Sequence, residues 1–284
     1  MHHECILCNL NQVYRVIRLL DLDETAARSL VSKVMAFLAK VDYSKTNSEV
    51  MGKTWELITR ETGHENPYAE IKKRYNTLLR KAEEELRIKL EQSKDSLLCA
   101  LHLAAAGNQI DFAGRREVSF VMEELHQRME QSFAVDDSSR LFADLEKAEN
   151  LLYLGDNCGE IVLDKLFLKE IRKRHPRLSI TYGVRGKPVV NDVTLEDARM
   201  TGMEEAAKIV ENGSGALGTV LSDTSLDFQN AFAKADLVIS KGQGNFESLS
   251  ECTDQNIYYV LMVKCDRIAG IFKAPVGELI CWKG

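Results

Sequence analysis

One change of rhythm constrains this chain more than any other feature. Through the first 148 residues apolar side chains recur at helical spacing. From about residue 149 onward, short β-branched or Leu-rich runs alternate with helical stretches. Strands are expected at 150–154, 178–184, 217–221, 236–240 and 257–262. Helices are expected between and after them at 160–174, 195–200, 203–210, 226–233, 245–251 and 265–272. Strands separated by helices make parallel βαβ units. The expected fold class is α/β, a three-layer sheet domain over 149–284 carrying an all-helical N-terminal region over 1–148.

Helices in the first region are expected at 9–20, 24–40, 46–62, 68–92, 94–106 and 116–130. The fourth is the clearest, with Ile71, Tyr75, Leu78, Leu79, Ala82 and Leu86 on one face and Pro67 at its start. With only four prolines, no Pro-rich linker divides the two parts, so one compact body is expected.

Composition excludes some functions. A net charge of −6, with acids and bases mixed and no basic stripe, argues against nucleic-acid binding. The longest apolar runs, such as Ile257 to Val263, are too short to span a bilayer. Met1 to Cys8 lacks the basic and apolar regions of a signal peptide. A cytoplasmic location is therefore expected, and the seven cysteines, an odd number, are expected mostly as free thiols.

Three polar, glycine-bearing turns each follow an expected strand. The first is Gly155-Asp156-Asn157-Cys158-Gly159-Glu160. An Asp and an Asn supply hard oxygen ligands that suit Mg²⁺ or Mn²⁺ better than zinc. A helix capped by Asp or Asn, with Glu160 in its first turn, accounts for the same residues. The second runs from Tyr182 to Asp192, with Arg185 and Lys187 placed to meet an anion; an Asn-Asp cap on a surface turn is the plainer alternative. The third is Lys241-Gly242-Gln243-Gly244-Asn245 between strand and helix. Its glycines let backbone amides approach phosphate oxygens, and Lys241 adds a positive charge. It is neither a Walker A loop nor G-x-G-x-x-G.

Two weaker features remain. Gly107-Asn108-Gln-Ile-Asp111 ends a small-residue helix, and its Asn and Asp suit capping. His2-His3-Glu4-Cys5-Ile-Leu-Cys8 joins a C-x-x-C to two histidines, which is compatible with zinc or redox chemistry. There is no second C-x-x-C, so burial of both cysteines on a helix face is the competing reading.

The three turns fall on one edge of a parallel sheet, which assembles a metal-plus-phosphate site. In combination they resemble a known family. The N-terminal C-x-x-C, A-G-N-x-I-D at 106–111, G-D-N-x-G-E at 155–160, R-G-K-P-V-x-N-D at 185–192 and K-G-x-G-N-x-E at 241–247 are similar to the DUF89 proteins, the ARMT1-like damage-control phosphatases. The C-x-x-C and short length resemble the prokaryotic, archaeal-type branch. The resemblance implies a Rossmann-like α/β domain and a divalent-metal-dependent phosphatase acting on small phosphorylated metabolites. It also implies a metal held by Asp156, Asn157 and Asp192, with Mn, Mg, Co or Ni as the ion, and a phosphate site using Lys241, Gly242 and Asn245.

On this reading Asp156 and Lys241 are the catalytic residues: Asp156 positions the attacking water or attacks directly, and Lys241 neutralises phosphoryl charge. Arg185 or Lys187 grips the substrate, and Glu160, Asn108 and Asp111 meet substrate hydroxyls or support the metal. The alternatives from other classes are an S-adenosylmethionine-dependent carboxyl methyltransferase and a non-catalytic metal or redox protein built on Cys5 and Cys8.

Overall fold

The structure, a computed structural model, describes residues 1–107, 123, 125–127, 129 and 131–284. Five helices come first: α1 (Cys5–Leu19), α2 (Glu24–Leu38), α3 (Asn47–Thr62), α4 (Ala69–Gln92) and α5 (Ser96–Ala106). The sheet strands are β1 (Val135–Asp136), β2 (Asn150–Leu154), β3 (Ser179–Val184), β4 (Lys208–Glu211), β5 (Leu237–Lys241), β6 (Ile257–Met262) and β7 (Leu279–Lys283). The helices among and after them are α6 (Ser138–Leu145), α7 (Glu160–Arg174), α8 (Leu195–Thr201), α9 (Leu226–Lys234), α10 (Gly242–Leu249) and α11 (Asp266–Phe272).

Among the described residues these strands form one sheet in the order β1-β7-β6-β5-β2-β3-β4. Pairing is parallel except between β6 and β7. After edge strand β1 the chain enters the middle of the sheet at β2, runs outward through β3 and β4, then crosses back to β5 and continues to β6. β2 and β5 are neighbours in space, and connections leave them in opposite directions. Such a reversal opens a crevice beyond the carboxyl ends of the two strands, where ligands bind in open α/β sheets.

Alternation of side chains sorts the core into layers. On β2, Leu151 and Tyr153 face the side covered by α4, α5 and α7, while Leu152 and Leu154 face α9, α10 and α11. A third cluster, with Val13, Val34, Trp55 and Ile58, holds α1 to α3 together and takes in Val189 and Val190 from the loop after β3. Helix α5 is apolar almost throughout and buried over nearly its whole length, because it lies on α7 as part of the sheet's covering layer.

Three sequence expectations are corrected. The strand expected at 217–221 is loop running into a short turn at Leu221–Asp223. The stretch 203–210, read as helix, instead ends in strand β4, whose four residues gain their ladder from β3. The N-terminal region, expected to be all helical, contributes edge strand β1. The expected helix at 116–130 lies largely outside the described residues. Among the described residues no helix is long and apolar enough to cross a membrane.

Candidate active site

The two lips of the crevice are the turns after β2 and β5. Both need glycine. A Cβ on Gly155 would lie 2.4 Å from the Tyr182 hydroxyl oxygen. Gly242 has φ +79°, and a Cβ there would lie 2.0 Å from Asp156 Oδ2. The Asp156 carboxylate therefore rests on the bare backbone where β5 becomes α10. Asn245 joins the lips: its Nδ2 donates to Gly155 O at 3.2 Å and to Lys241 O at 2.7 Å.

The third wall is the loop after β3. Val193 N donates to Asp156 O at 2.9 Å and Cys158 N to Asn191 O at 2.9 Å, so a short antiparallel bridge sets Asn157 opposite Asp192. Val190, two residues earlier, has φ +45°. A β-branched residue in that region is strained by about 1–3 kcal/mol and persists only where its surroundings overdetermine it. Here the α1–α3 cluster encloses it.

Asp192 is buried, and its Oδ2 accepts from Arg185 Nε at 2.7 Å. The rest of the Arg185 fork reaches Thr219 Oγ1 at 3.3 Å and Asn245 Oδ1 at 3.2 Å. Burial pushes the Asp192 carboxyl up to about 6, with Arg185 opposing and the Asp156 charge adding to the rise. The carboxylates of Asp156 and Asp192 are thus close enough to repel, which a cation between them would relieve.

A second polar layer lies beneath. Asn157 Nδ2 donates to Asp156 Oδ2 at 2.6 Å and to Glu160 Oε2 at 3.3 Å. Lys241, fully buried, donates to Glu160 Oε1, to Asp164 Oδ1 at 2.8 Å and to Ala104 O at 2.6 Å. Glu160 and Asp164 are four apart on α7 and so share a face. Tyr153 and Tyr182 donate to the two oxygens of Asp164 at 2.6 and 2.8 Å. Burial pushes Glu160 up to about 7, against the pull of Lys241. Burial alone would lower Lys241, but Asp164 and Glu160 outweigh it and hold the ammonium well above its ordinary value.

The donor set fits a divalent ion. Asp156, Asn157 and Asp192 offer hard oxygens, and the Asn157 amide turns its nitrogen to two carboxylates and so its oxygen the other way. The space is kept by Gly242, which a side chain would fill.

Asp156, Asn157, Glu160, Arg185, Asp192, Lys241, Gly242 and Asn245 therefore belong to one connected network. All three N–H groups of Lys241 meet protein oxygens, and the Arg185 fork is occupied by Asp192, Thr219 and Asn245. Both face acids and amides of the protein. Lys187 is exposed, with its backbone N–H on Ser214 O at 3.2 Å. Asn108 and Asp111 lie outside the described residues.

The family profile described as the damage-control phosphatase ARMT1-like domain matches residues 1–280. The chain belongs to this family. It is 32% identical over 284 residues to a damage-control phosphatase of Pyrococcus horikoshii, covering 100% of this chain and 98% of the relative. It is 30% identical over 283 residues to a damage-control phosphatase of Archaeoglobus fulgidus, covering 97% and 96% of the two chains. The crystal structure of a DUF89 family protein from Pyrococcus horikoshii superposes with a TM-score of 0.93 at 30% identity, over 100% of this chain and 98% of that one.

Several residues that shape the site in this ARMT1-like domain escaped the sequence reading. Asp164 was legible in principle, since it follows Glu160 at the i+4 spacing of a helix face. Thr219 was hidden in a stretch that looks like a strand. Asn76 of α4 gave no local signal: its Oδ1 accepts from Gly159 N at 2.6 Å, capping α7 from the helical region. Its Nδ2 donates to Asp197, which also pairs with buried Lys72 at 2.6 Å.

Proposed function

We propose that this chain is a divalent-metal-dependent phosphomonoesterase acting on small phosphorylated metabolites, sugar phosphates among them. The observation that carries the reading is the seating of the Asp156 carboxylate on the glycine turn of β5, at the topological reversal. Asp156, Asn157 and Asp192 would hold the ion, with Mn, Mg, Co and Ni as candidates. Bound there, the ion supplies Lewis-acid polarisation of a phosphate oxygen.

The chain's own residues do the rest. The start of α10, with Gly242 and Gly244, presents amides and the positive end of a helix to the phosphate. Asp156 is placed to orient the attacking water or to attack. Arg185 acts behind Asp192, fixing one carboxylate oxygen and leaving the other side of that group to the crevice. Lys241 balances the charges of Glu160 and Asp164, and Glu160 in turn holds the Asn157 amide. Lys187 is the exposed cation on the turn after β3, suited to substrate groups arriving from solvent. The names of the relatives support the reaction class, and the seven free thiols fit a reducing, cytoplasmic setting.

The test is hydrolysis of p-nitrophenyl phosphate and a panel of sugar phosphates with each ion and with chelator. Activity should require the ion, and Asp156→Asn and Asp192→Asn should each lower kcat/KM by about 1,000-fold or more with the fold intact, a loss equal to about 4 kcal/mol of barrier. Wild-type rates in both variants, or full activity in chelator, would overturn the reading.

A further inference from the structure

The two turns that carry the ion donors are tied to each other a second time, through the helical region. Helix α4 packs on both α7 and α8. On α4, Lys72 and Asn76 are four residues apart and share a face. Both are buried, as is Asp197 on α8. Asn76 Oδ1 accepts from Gly159 N at 2.6 Å, and Asn76 Nδ2 donates to Asp197 Oδ1 at 2.8 Å. The other oxygen of Asp197 accepts from Thr194 N and Thr194 Oγ1, each at 2.8 Å, and meets Lys72 Nζ at 2.6 Å. Gly159 closes the turn that begins with Asp156, and Thr194 follows Asp192 across a single residue. The path Gly159–Asn76–Asp197–Thr194 therefore runs from one ligand-bearing turn to the other through hydrogen bonds between buried groups.

The chemistry of this path is specific. Its middle member must accept from an amide N–H and donate to a carboxylate at once. A carboxamide does both, whereas a carboxylate only accepts and an alkyl side chain does neither. Gly159 has φ +74°, in the left-handed region open to glycine, and its N–H goes to α4. The Lys72 ammonium also acts on both turns. Burial is the main cause that raises the Cys158 thiol and the Asp192 carboxyl, and in each case the Lys72 charge pulls the other way. The first tie, the backbone bridge of Asn157 with Asp192, leaves two short turns free to pivot about it. A second tie at a different point removes that freedom, as a supporting shell does for groups that must be held to a fraction of an ångström.

We propose that Asn76 is a positioning residue, braced by Lys72 and Asp197, that sets the separation of Asp156 and Asn157 from Asp192 and so the size of ion the crevice accepts. The inference rests on the ion-binding reading above and deepens it, because it assigns discrimination among ions to the helical region. Mg²⁺ requires near-octahedral geometry at about 2.0–2.1 Å, whereas Ca²⁺ takes a looser shell at about 2.3–2.6 Å. Donors held by both ties favour the small ion. Donors held by the backbone bridge alone can spread, and the small ion then loses most.

The test is direct ion binding by the full chain, read from the electron paramagnetic resonance of free Mn²⁺ with Mg²⁺ and Ca²⁺ as competitors. Asn76→Leu keeps the bulk of the side chain and removes both hydrogen bonds. It should weaken Mg²⁺ by about 10–100-fold, the range for a lost supporting contact, and Ca²⁺ by less than about threefold. Asn256→Leu, which removes a hydrogen bond to Asp144 at the start of β6, should keep the parent's ratio of Mg²⁺ to Ca²⁺ affinity. In the wild-type chain, Mg²⁺ should shift the nuclear magnetic resonance of the Asn76 side-chain amide together with that of the Gly159 N–H, a readout independent of how the variants fold. Asp192→Asn separates the two levels of the argument: parental ion binding in that variant would overturn the ion site and this inference with it. The inference alone is overturned if Asp192→Asn loses the ion while Asn76→Leu keeps the parent's Mg²⁺ affinity, if Asn76→Leu weakens Mg²⁺ and Ca²⁺ equally, or if Mg²⁺ leaves the Asn76 amide signal in place.

Discussion

Replacing Gly242 by alanine isolates the contact on which the crevice depends. The added methyl would sit 2.0 Å from Asp156 Oδ2, 2.1 Å from Cγ and 2.6 Å from Oδ1. Carbon and oxygen rest no closer than roughly 3.3 Å, so the carboxylate has to retreat by about 3.3 − 2.0 = 1.3 Å. A displacement of about 1 Å in a positioning group lowers a rate by about 100-fold. The same substitution places a Cβ residue at φ +79°, in the left-handed region, which is unfavourable by about 1–2 kcal/mol. For a chain of this size that corresponds to a fall in Tm of roughly 2–8 °C. Gly270→Ala is the control: it lies within α11, and its added Cβ meets nothing within 4 Å. It should leave activity unchanged and stabilise by up to about 1 kcal/mol. Phosphatase rates at saturating ion, the ion concentration for half-maximal activity, and thermal melts together read both effects. If Gly242→Ala keeps kcat and ion affinity within about threefold of the parent while Asp156→Asn does not, the close seating of Asp156 on this turn is not what organises the site.

Three further outcomes are expected. Lys241→Met removes the cation between buried Glu160 and Asp164, and should destabilise by about 3–5 kcal/mol in urea unfolding, as broken buried pairs do; a change below about 1 kcal/mol would show the acids are not charged there. Arg185→Lys keeps the charge but cannot span Asp192, Thr219 and Asn245 at once, so half-saturation by Mn²⁺ should shift about 10–100-fold, and an unshifted titration would contradict the supporting role given to Arg185. Asp144 accepts from Lys283 at 2.8 Å and Tyr258 at 2.8 Å, and the Lys283 hydrogen bond first of all holds its carboxyl at about 2 instead of 3.8. Because the folded-state value is depressed, its stabilisation is present above about pH 4 and lost as pH falls through about 2. Melting points across that window should fall less steeply in Asp144→Asn than in the parent.

Local pattern carried the strands that pair through the middle of the sheet. β2 and α7 fall at 150–154 and 160–174, where the apolar run and its helical sequel placed them. Edge elements were not legible. Lys208-Ile-Val-Glu211 is four residues long and becomes a strand only by pairing with β3. Leu217 to Leu221 has a strand-like composition, yet its backbone serves a spacer: Leu217 N donates to Ser48 O at 3.3 Å, and Gly218, at φ +95°, packs against Gly244. In the crevice, the glycine-bearing turns read from the sequence come together around Asp156 and Gly242. The direction of the cations was not readable, because their partners are distant in sequence. Lys241 meets Glu160 and Asp164 from α7, and Arg185 meets Asn245 from α10. A cation beside a glycine loop looks the same on paper whether it greets a ligand or an acid of its own chain.

The reversal between β2 and β5 also orders events on the ribosome. Glu160 and Asp164 both precede the counter-charge that joins them, for Lys241 lies more than four-fifths of the way along the 284 residues. A nascent chain long enough to pair β2 with β3 holds this group of acids with no ammonium to quiet it, and translation proceeds from the N-terminal end. That half-built sheet gains its missing charge, its second lip and its neighbouring strand in one step, when β5 slots in beside β2.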